Sequence, residues 1–302
     1  MRYYQVLLSA SDSRLAVEAA DDTLVDLTSV SPHARTIYDL LKAASLTGAG
    51  VDRIASSLVD RGGSPWMSLS DLLRNSTEQG RFPRLTVPLV PPEIWAVGVT
   101  YQDSMRERQA ESKSPDIYAR VYVADRPEVF FKGTPRVLAD PYDEVGIRAD
   151  SAWNVPEPEL AFVLFDGKIA GYTCGNDMSS RTIEGENPLY LPQAKIYDRS
   201  CAIGPCFVTP EKVGDAQKLT VTLTITRGGK QAFKGSTNTS KMRRDCTYLA
   251  DWLQRHNPVP DGTTVCTGTG TIPPPDFTLQ QGDVVAIGIE KIGTLTNTVV
   301  VV

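Results

Sequence analysis

Alternating apolar and polar positions recur along the chain and predict a protein rich in β-strands. The alternation is most regular at residues 219–226, where threonines separate leucine, valine and isoleucine, and the Gly228–Gly229 pair that follows predicts a hairpin turn. Residues 3–28 alternate in shorter runs, which is typical of a small antiparallel sheet. We therefore expect strands near both ends of the sequence.

Helical spacing of apolar residues occurs in fewer places. The Ser31–Pro32 pair precedes such a run and predicts a helix with proline in its first turn, ending near Gly48. Further helices are expected from Val51 to about Val59, near residues 68–70, and from about Lys241 to His256. The helices should therefore be short and separated by the strands.

Four prolines within residues 82–92 predict an extended linker, and we place a domain boundary at residue 88. The predicted fold class is α+β, with a small N-terminal α/β domain at residues 1–88 and a larger strand-rich domain at residues 89–302. Beyond the linker, the charged segment 102–114 has a helical pattern. It is either a solvated helix or a mobile lid over a site.

Composition excludes several classes of function. The net charge is −5, with 31 basic residues dispersed along 302 residues, so nothing favours nucleic acid as a partner. No run of about 18 apolar residues occurs, and the N-terminus lacks the pattern of a signal peptide, so we expect no membrane span and a cytoplasmic location. The five cysteines lack metal-site spacing and are expected to be buried free thiols.

Candidate chemistry is concentrated in a predicted hairpin made of residues 161–165 and 169–174. Glu157 and Glu159, two positions apart, should point to the same face if the strand begins before them. Asp177 follows the returning strand and should lie beside them. Neighbouring carboxylates repel unless a cation lies between them, and three oxygen donors without histidine or cysteine favour Mg²⁺, Ca²⁺ or Mn²⁺.

These residues belong to a longer set of motifs. In chain order the set comprises Phe130 to Pro135, Glu157-x-Glu159, Gly171-Tyr172-Thr173, Asn176-Asp177, Ser179, Arg181, Lys195, Gly204-Pro205 and Thr267 to Gly270. The set resembles the metal-binding signature of the fumarylacetoacetate hydrolase family, and the resemblance extends from Val90 to Val302. Within that family, the segments around Arg126–Lys132 and Glu186–Tyr197 are most similar to the 2-keto-3-deoxy-D-arabinonate dehydratases.

The resemblance implies a fold, an activity and roles for particular residues. It implies a mixed β-sandwich roll for the larger domain, a homodimer or homotetramer, and a site where Glu157, Glu159 and Asp177 hold Mg²⁺ or Mn²⁺. It also implies dehydration of a 2-keto-3-deoxy sugar acid to a product such as 2,5-dioxopentanoate. Glu128 would protonate the departing C4 hydroxyl, provided that burial among apolar neighbours raises its pKa.

Lys195 is the candidate base for the C3 proton of a 2-keto acid. We expect the charge of the metal and partial burial to lower its pKa. The predicted substrate contacts are Lys132, Thr100, Gly268 and Thr269. The last two lie in a loop of small residues, Thr267–Thr271, whose backbone N–H groups could receive a carboxylate.

Two other functions remain open. Many hydrolases of this family carry a histidine in a Gly-x-x-Tyr-x-x-His-x-x-Glu pattern, and here Ser104 occupies the position of the histidine, between Tyr101 and Glu107. Dehydration needs no activated water, so Ser104 favours a dehydratase over an acylpyruvate-type hydrolase. The third possibility is a protein that binds a metal and a keto acid without catalysis.

Overall fold

Strands contain more residues than helices in this computed structural model, which describes residues 1–111 and 115–302. The strands are β1 (Arg2–Leu7), β2 (Ser13–Ala20), β3 (Thr23–Asp26), β4 (Pro65–Ser68), β5 (Arg84–Thr86), β6 (Ile94–Gly98), β7 (Glu128–Gly133), β8 (Leu138–Ala139), β9 (Glu144–Ile147), β10 (Asn154–Val155), β11 (Pro158–Phe165), β12 (Lys168–Asp177), β13 (Ser179–Ser180), β14 (Cys201–Val208), β15 (Thr220–Arg227), β16 (Lys230–Asn238), β17 (Thr264–Cys266), β18 (Val284–Ile289) and β19 (Gly293–Val301).

Helices are short and lie between the strands. They are α1 (Leu27–Val30), α2 (Ile37–Thr47), α3 (Val51–Gly62), α4 (Leu69–Ser76), α5 (Gln102–Glu111), α6 (Pro115–Val123), α7 (Arg181–Glu186), α8 (Leu191–Lys195), α9 (Pro210–Val213) and α10 (Cys246–Gln254). No helix within the described ranges is both long enough and apolar enough to cross a lipid bilayer. The last three residues of the predicted charged helix, 112–114, lie outside the described residues.

Two large sheets organise the fold. The larger has strand order β4-β3-β2-β1-β14-β12-β11-β17-β6-β7, with β5 and β8 paired at its side, and the smaller has order β16-β15-β18-β19-β9. β11 is buried along its whole length, and its side chains alternate between two cores. Leu160, Phe162 and Leu164 belong to the core that also contains β15 and β18. Val163 and Phe165 belong to the core beneath α2.

The predicted division into residues 1–88 and 89–302 stays a prediction. The two parts share the larger sheet, because β1 pairs with β14 through Arg2 opposite Val208 and Tyr3 opposite Phe207. The α+β class and the strand-rich larger part are confirmed, as is the hairpin of β15 and β16. The front part of the chain therefore extends the sheet that carries the candidate site.

Two helix boundaries differ from those predicted. The helix expected after Ser31–Pro32 begins at Ile37, because Thr36 and Asp39 form a capping box there. The helix expected from Lys241 begins at Cys246, where the side chain of Asp245 accepts a hydrogen bond from the backbone of Tyr248. In both cases a side-chain cap, rather than the apolar spacing, determines where the helix starts.

Candidate active site

The three predicted metal ligands meet where β11 begins and β12 ends. Antiparallel pairing places Pro158 opposite Asn176, so the flanking residues Glu157 and Asp177 lie side by side. The backbone N–H of Asp177 donates to the carbonyl of Glu157 at 3.1 Å. Glu157, Glu159 and Asp177 each offer a carboxylate oxygen, all within 4.8 Å of one another, and all three side chains are buried. The hairpin therefore assembles the predicted cluster.

The electrostatics of this cluster fit a divalent cation. Burial, together with the negative charges of Asp177 and Glu157, raises the pKa of Glu159 well above its usual value. Burial also disfavours the charged form of Glu157, but Lys195, Arg181 and Arg108 outweigh it and lower the pKa of Glu157 to about 2. The repulsion among the three carboxylates thus disfavours mainly the ionised form of Glu159. A cation bound among the three carboxylates would relieve this repulsion. Three hard oxygen donors suit Mg²⁺ or Mn²⁺.

Lys195 lies against the carboxylates. Its Nζ is 2.8 Å from Glu157 Oε2 and 3.0 Å from Asp177 Oδ2, and only 2% of the residue is exposed. Burial lowers the pKa of Lys195, but the nearby carboxylates, Asp177 first, outweigh that effect and raise it. The expected lowering depends on the charge of a bound metal and stays a prediction. A cation bound by the same carboxylates would cancel the negative charge that raises the pKa.

Glu128 reaches the same cavity from β7. The residue as a whole is half-buried, but its carboxyl group faces inward, and a Cβ added to Gly98 would lie 2.2 Å from its Oε2. Burial, and secondarily the negative charge of Glu184, raises the pKa of Glu128 to about 7. A carboxyl group with this pKa is protonated in a large fraction of molecules at neutral pH, as a general acid must be.

Three further charged residues line or support the site, and we did not single them out as site residues from the sequence. Arg108 Nη2 lies 2.9 Å from Glu157 Oε1 and its Nη1 lies 2.8 Å from Glu184 Oε2, while Arg181 Nη2 lies 3.1 Å from Glu157 Oε1. Glu184 also accepts a hydrogen bond from Ser179. One signal for Arg108 was available, since it lies four residues after Ser104 and shares its face of a helix.

The cavity itself is small. Its volume is about 20 Å³, and its walls include Ser104 and Arg108 of α5, Glu128 and Phe130 of β7, and Glu157, Asp177 and Lys195. That volume is close to the room needed by one water molecule. A five-carbon keto acid can enter only if side chains on one wall move, and α5 carries two of them. One face of α5 therefore belongs to the site, and its movement as a lid stays a prediction.

Two predicted substrate contacts lie away from the cavity wall. The Thr100 side chain is completely buried and donates to the carbonyl of Thr267 at 2.7 Å. Lys132 is also completely buried, and its Nζ contacts Asp177 and the backbone carbonyls of Met178 and Lys195. These contacts use the hydroxyl donor of Thr100 and two donors of Lys132, whose contact with Asp177 Oδ1 is an ion pair. Their geometry does not support direct contact with a substrate.

The loop of small residues does receive a carboxylate, but the carboxylate belongs to the protein. The backbone N–H of Gly268 donates to Glu159 Oε2 at 2.7 Å. Gly268 has φ +89°, and a Cβ there would lie 2.1 Å from Thr100 Oγ1, so this close approach requires glycine. Gly268 and Thr269 also line the cavity, as predicted for substrate contacts. The loop thus fixes one metal ligand and closes one side of the site.

Comparisons with known proteins give matches over most of the chain. A family model described as "Fumarylacetoacetate (FAA) hydrolase C-terminal" matches residues 93–300. A "Probable 2-keto-3-deoxyxylonate dehydratase" from Haloferax volcanii is 49% identical over 302 residues, covering all of both chains. A "2-dehydro-3-deoxy-D-arabinonate dehydratase" from Saccharolobus solfataricus is 46% identical over 222 residues, covering 72% of this chain and 74% of that protein.

A solved structure shares the whole fold. It is described as "2-keto-3-deoxy-D-arabinonate dehydratase complexed with magnesium and 2,5-dioxopentanoate". It superposes with a TM-score of 0.85 at 35% sequence identity, covering 100% of this chain and 99% of that one. The similarity includes the front part of the chain, which the family model does not reach.

Proposed function

This chain belongs to the fumarylacetoacetate hydrolase family, and from that premise we propose that it is a magnesium-dependent dehydratase of a 2-keto-3-deoxypentonate. One observation carries the proposal: a carboxylate cluster, a lysine and a carboxyl group with a pKa near 7 line one buried cavity. Relatives named as dehydratases, one of them matching over its full length, support the same activity.

The residues divide the chemistry between a base and an acid. Magnesium held by Glu157, Glu159 and Asp177 would polarise the keto group of the substrate and so acidify its C3 protons. Lys195, as the neutral amine, takes one C3 proton. The electron pair left on C3 forms the C3=C4 bond as the C4–O bond breaks. Glu128 gives its proton to the departing hydroxyl, which leaves as water.

Two proton shifts complete the reaction without further loss of atoms. The first product is 5-hydroxy-2-oxopent-3-enoate. A proton leaves C5 and another is added at C3, which gives the enol of an aldehyde. When C4 takes up a proton and the enol oxygen loses one, the product is 2,5-dioxopentanoate. Lys195, beside C3 in this scheme, is the candidate to return the proton there.

The substrate class is narrower than the two relatives' names suggest. A 2-keto-3-deoxypentonate keeps C4 as its single stereocentre, because C2 is a ketone and C3 is a methylene. The names arabinonate and xylonate therefore describe the same carbon skeleton. Five carbons with a keto acid at one end and hydroxyls at C4 and C5 fit a site that combines a metal centre with a proton donor.

Serine at position 104, where the family's hydrolases carry a histidine, supports dehydration over hydrolysis. Ser104 lies on the cavity wall, at the place where the resemblance puts the histidine of the family's hydrolases. A serine hydroxyl is a poor general base at neutral pH, whereas imidazole has a pKa near 6.5. Loss of water from C4 needs no activated water, so the serine does not prevent it.

Mass spectrometry of the products tests the proposal. Purified protein with Mg²⁺ is incubated with 2-keto-3-deoxy-D-arabinonate and, separately, with an acylpyruvate. We expect the sugar acid to lose one water and the acylpyruvate to stay intact. Cleavage of the acylpyruvate with addition of water would instead identify a hydrolase. If both compounds stay intact while magnesium binds, the protein is a keto-acid binding protein rather than a dehydratase.

We also propose that the protein works in the cytoplasm as a homodimer or homotetramer. The support for both statements is the family resemblance, together with a composition that favours neither secretion nor nucleic-acid binding. Analytical ultracentrifugation of the purified protein measures the oligomeric state, and a single monomeric species would contradict the second statement.

A further inference from the structure

We propose that Lys132 is a positioning residue that holds the magnesium site in shape and does not touch the substrate. This inference rests on the proposed magnesium site but not on which keto acid the enzyme consumes. It assigns Lys132 a different function from the substrate contact that the family resemblance implies. Three observations support it, concerning the donors of Lys132, the strand that carries it, and the carboxylate it contacts.

The first observation is that the Lys132 ammonium group lies among three oxygen atoms inside the protein. Its Nζ lies 2.7 Å from Asp177 Oδ1 and 3.2 Å from the carbonyl oxygen of Met178, and it also donates to the carbonyl oxygen of Lys195. The two carbonyl oxygens accept hydrogen bonds from the ammonium group, and Asp177 Oδ1 forms an ion pair with it. The residue is 0% exposed and does not line the cavity.

The second observation concerns the strand. β6 and β7 pair with Ile94 opposite Gly133 and Trp95 opposite Phe131, so Lys132 is the extra residue of a β-bulge. Bulges beside active sites redirect a side chain out of the regular alternation. Here the bulge lies on the strand that also carries Glu128, and it turns Lys132 towards the back of Asp177. One strand thus supplies both the candidate acid and this buried ammonium group.

The third observation is that the two oxygens of Asp177 are held by different lysines. Oδ1 faces Lys132 and Oδ2 lies 3.0 Å from Lys195 Nζ. Lys195 lines the cavity, whereas Lys132 lies behind the carboxylate. Because Lys132 also binds the backbone carbonyl of Lys195, at the end of α8, one ammonium group ties the metal ligand to the segment that carries the candidate base. Loss of this ammonium group should disturb the positions of both Asp177 and Lys195.

The test measures magnesium binding without any keto acid. In the Lys132→Met variant, which keeps most of the side-chain length but removes the charge and donors, we expect the magnesium Kd by calorimetry to rise about 10- to 100-fold, as for other residues that orient metal ligands. At saturating magnesium, KM for the keto acid should stay near the wild-type value while kcat falls. An unchanged magnesium Kd with a raised KM would overturn the proposal and restore a substrate contact.

A matched control separates this effect from general damage. Arg244 is also a buried cation that donates to backbone carbonyls, those of Val121, Tyr122 and Ala124, and it lies outside the cavity wall. Arg244→Met should lower thermal stability and leave the magnesium Kd unchanged. If Arg244→Met weakens magnesium binding as much as Lys132→Met does, the effect is general and the proposal fails.

A second variant covers the case in which Lys132→Met does not fold. Lys132→Gln keeps two N–H donors without the charge, and we expect it to fold and to bind magnesium more weakly than the wild type at an unchanged KM. Wild-type magnesium affinity in this variant would contradict the proposal. Because the keto acid is absent from the binding assay, the outcome stands whether or not the dehydratase assignment is correct.

Discussion

Two parts of the cavity lining, which we call the floor and the cover, differ in how their residues are held in place. The floor consists of β11 and β12 with the carboxylates and Lys195, and the cover consists of α5. All eight residues of β11 are buried, as are the last seven of β12. On α5, Ser104 and Arg108 are buried, and the neighbouring described side chains are partly or fully exposed. Paired strands fix the floor, whereas the cover is held over the site partly by ion pairs.

The floor and the cover have different tasks. The charges on the floor must keep fixed positions, because a carboxylate cluster binds a cation only if its oxygens stay close together. A pentonate is far larger than the cavity of about 20 Å³, so we predict that the cover opens to admit it. Segments with few buried apolar contacts open at low free-energy cost. We therefore expect changes to the floor to abolish chemistry and changes to the cover to alter entry and closure.

The largest effect is expected for Lys195→Met. Without the amine no base remains beside C3, and kcat should fall by about 10²- to 10⁴-fold, the range typical of a lost general base. Steady-state kinetics at saturating magnesium measure the loss, and circular dichroism checks that the fold is retained. A kcat within about tenfold of wild type would remove Lys195 from the proposed role.

Glu128→Gln should come next. The amide keeps the shape of the carboxyl group but cannot give a proton to the departing hydroxyl, so turnover should fall by about 10²-fold or more. Magnesium affinity should be unchanged, because Glu128 is not part of the carboxylate cluster. Calorimetry and product assays on the same preparation separate the two results. Retained turnover would exclude Glu128 as the acid.

Arg108→Gln tests the cover. It removes the ion pairs to Glu157 and Glu184, which join α5 to the floor. We expect kcat/KM to fall by about 10- to 100-fold, since a lost partner of a buried ion pair commonly costs a few kcal/mol. The fall is expected because α5 would close less well over the cavity. For the same reason, proteolysis within α5 should become faster. Arg106→Gln, an exposed position on the same helix, is the matched control and should behave as wild type.

The smallest effect concerns the proton on Glu128. Burial raises its pKa to about 7, so in the protein without magnesium this carboxyl group should still carry its proton in a large fraction of molecules at pH 6 and lose it between pH 6 and pH 8. An ordinary glutamate, with a pKa near 4.3, is already ionised at pH 6. Infrared difference spectra of the wild type and Glu128→Gln detect the protonated carboxyl band directly. A band that disappears near pH 4 would contradict the assignment.

The sequence contained more information about the floor than about the cover. Strand alternation and the two-residue spacing of Glu157 and Glu159 predicted their common face, and the hairpin predicted Asp177 beside them. These are local rules of strands. β11 begins at Pro158, so Glu157 lies one residue before the strand and only Glu159 lies within it. Arg108 was not assigned to the site because its partners Glu157 and Glu184 are distant in sequence, and a charged helical segment is compatible with exposure to solvent. Only the folded chain brings these charges together.

Lys132 illustrates a second limit of sequence reasoning. Strand periodicity predicts which face a side chain takes, but a bulge changes the alternation locally, and no simple pattern predicts a bulge. The resemblance implied that Lys132 contacts the substrate, whereas its Nζ lies against Asp177 and two backbone carbonyls. By contrast, the start of α2 was predictable, since Thr36 and Asp39 have the spacing of a capping box. That signal is present in the sequence, four residues after Pro32.

The most direct test of the central claim, a separate base and acid in one cavity, is hydrogen exchange at C3 in D₂O. NMR follows the C3 protons of 2-keto-3-deoxy-D-arabinonate with Mg²⁺ and each variant, against a sample without protein. We predict that Glu128→Gln exchanges C3 hydrogen for deuterium while forming almost no 2,5-dioxopentanoate, and that Lys195→Met does neither. Exchange catalysed by Lys195→Met, or full product formation by Glu128→Gln, would contradict the account.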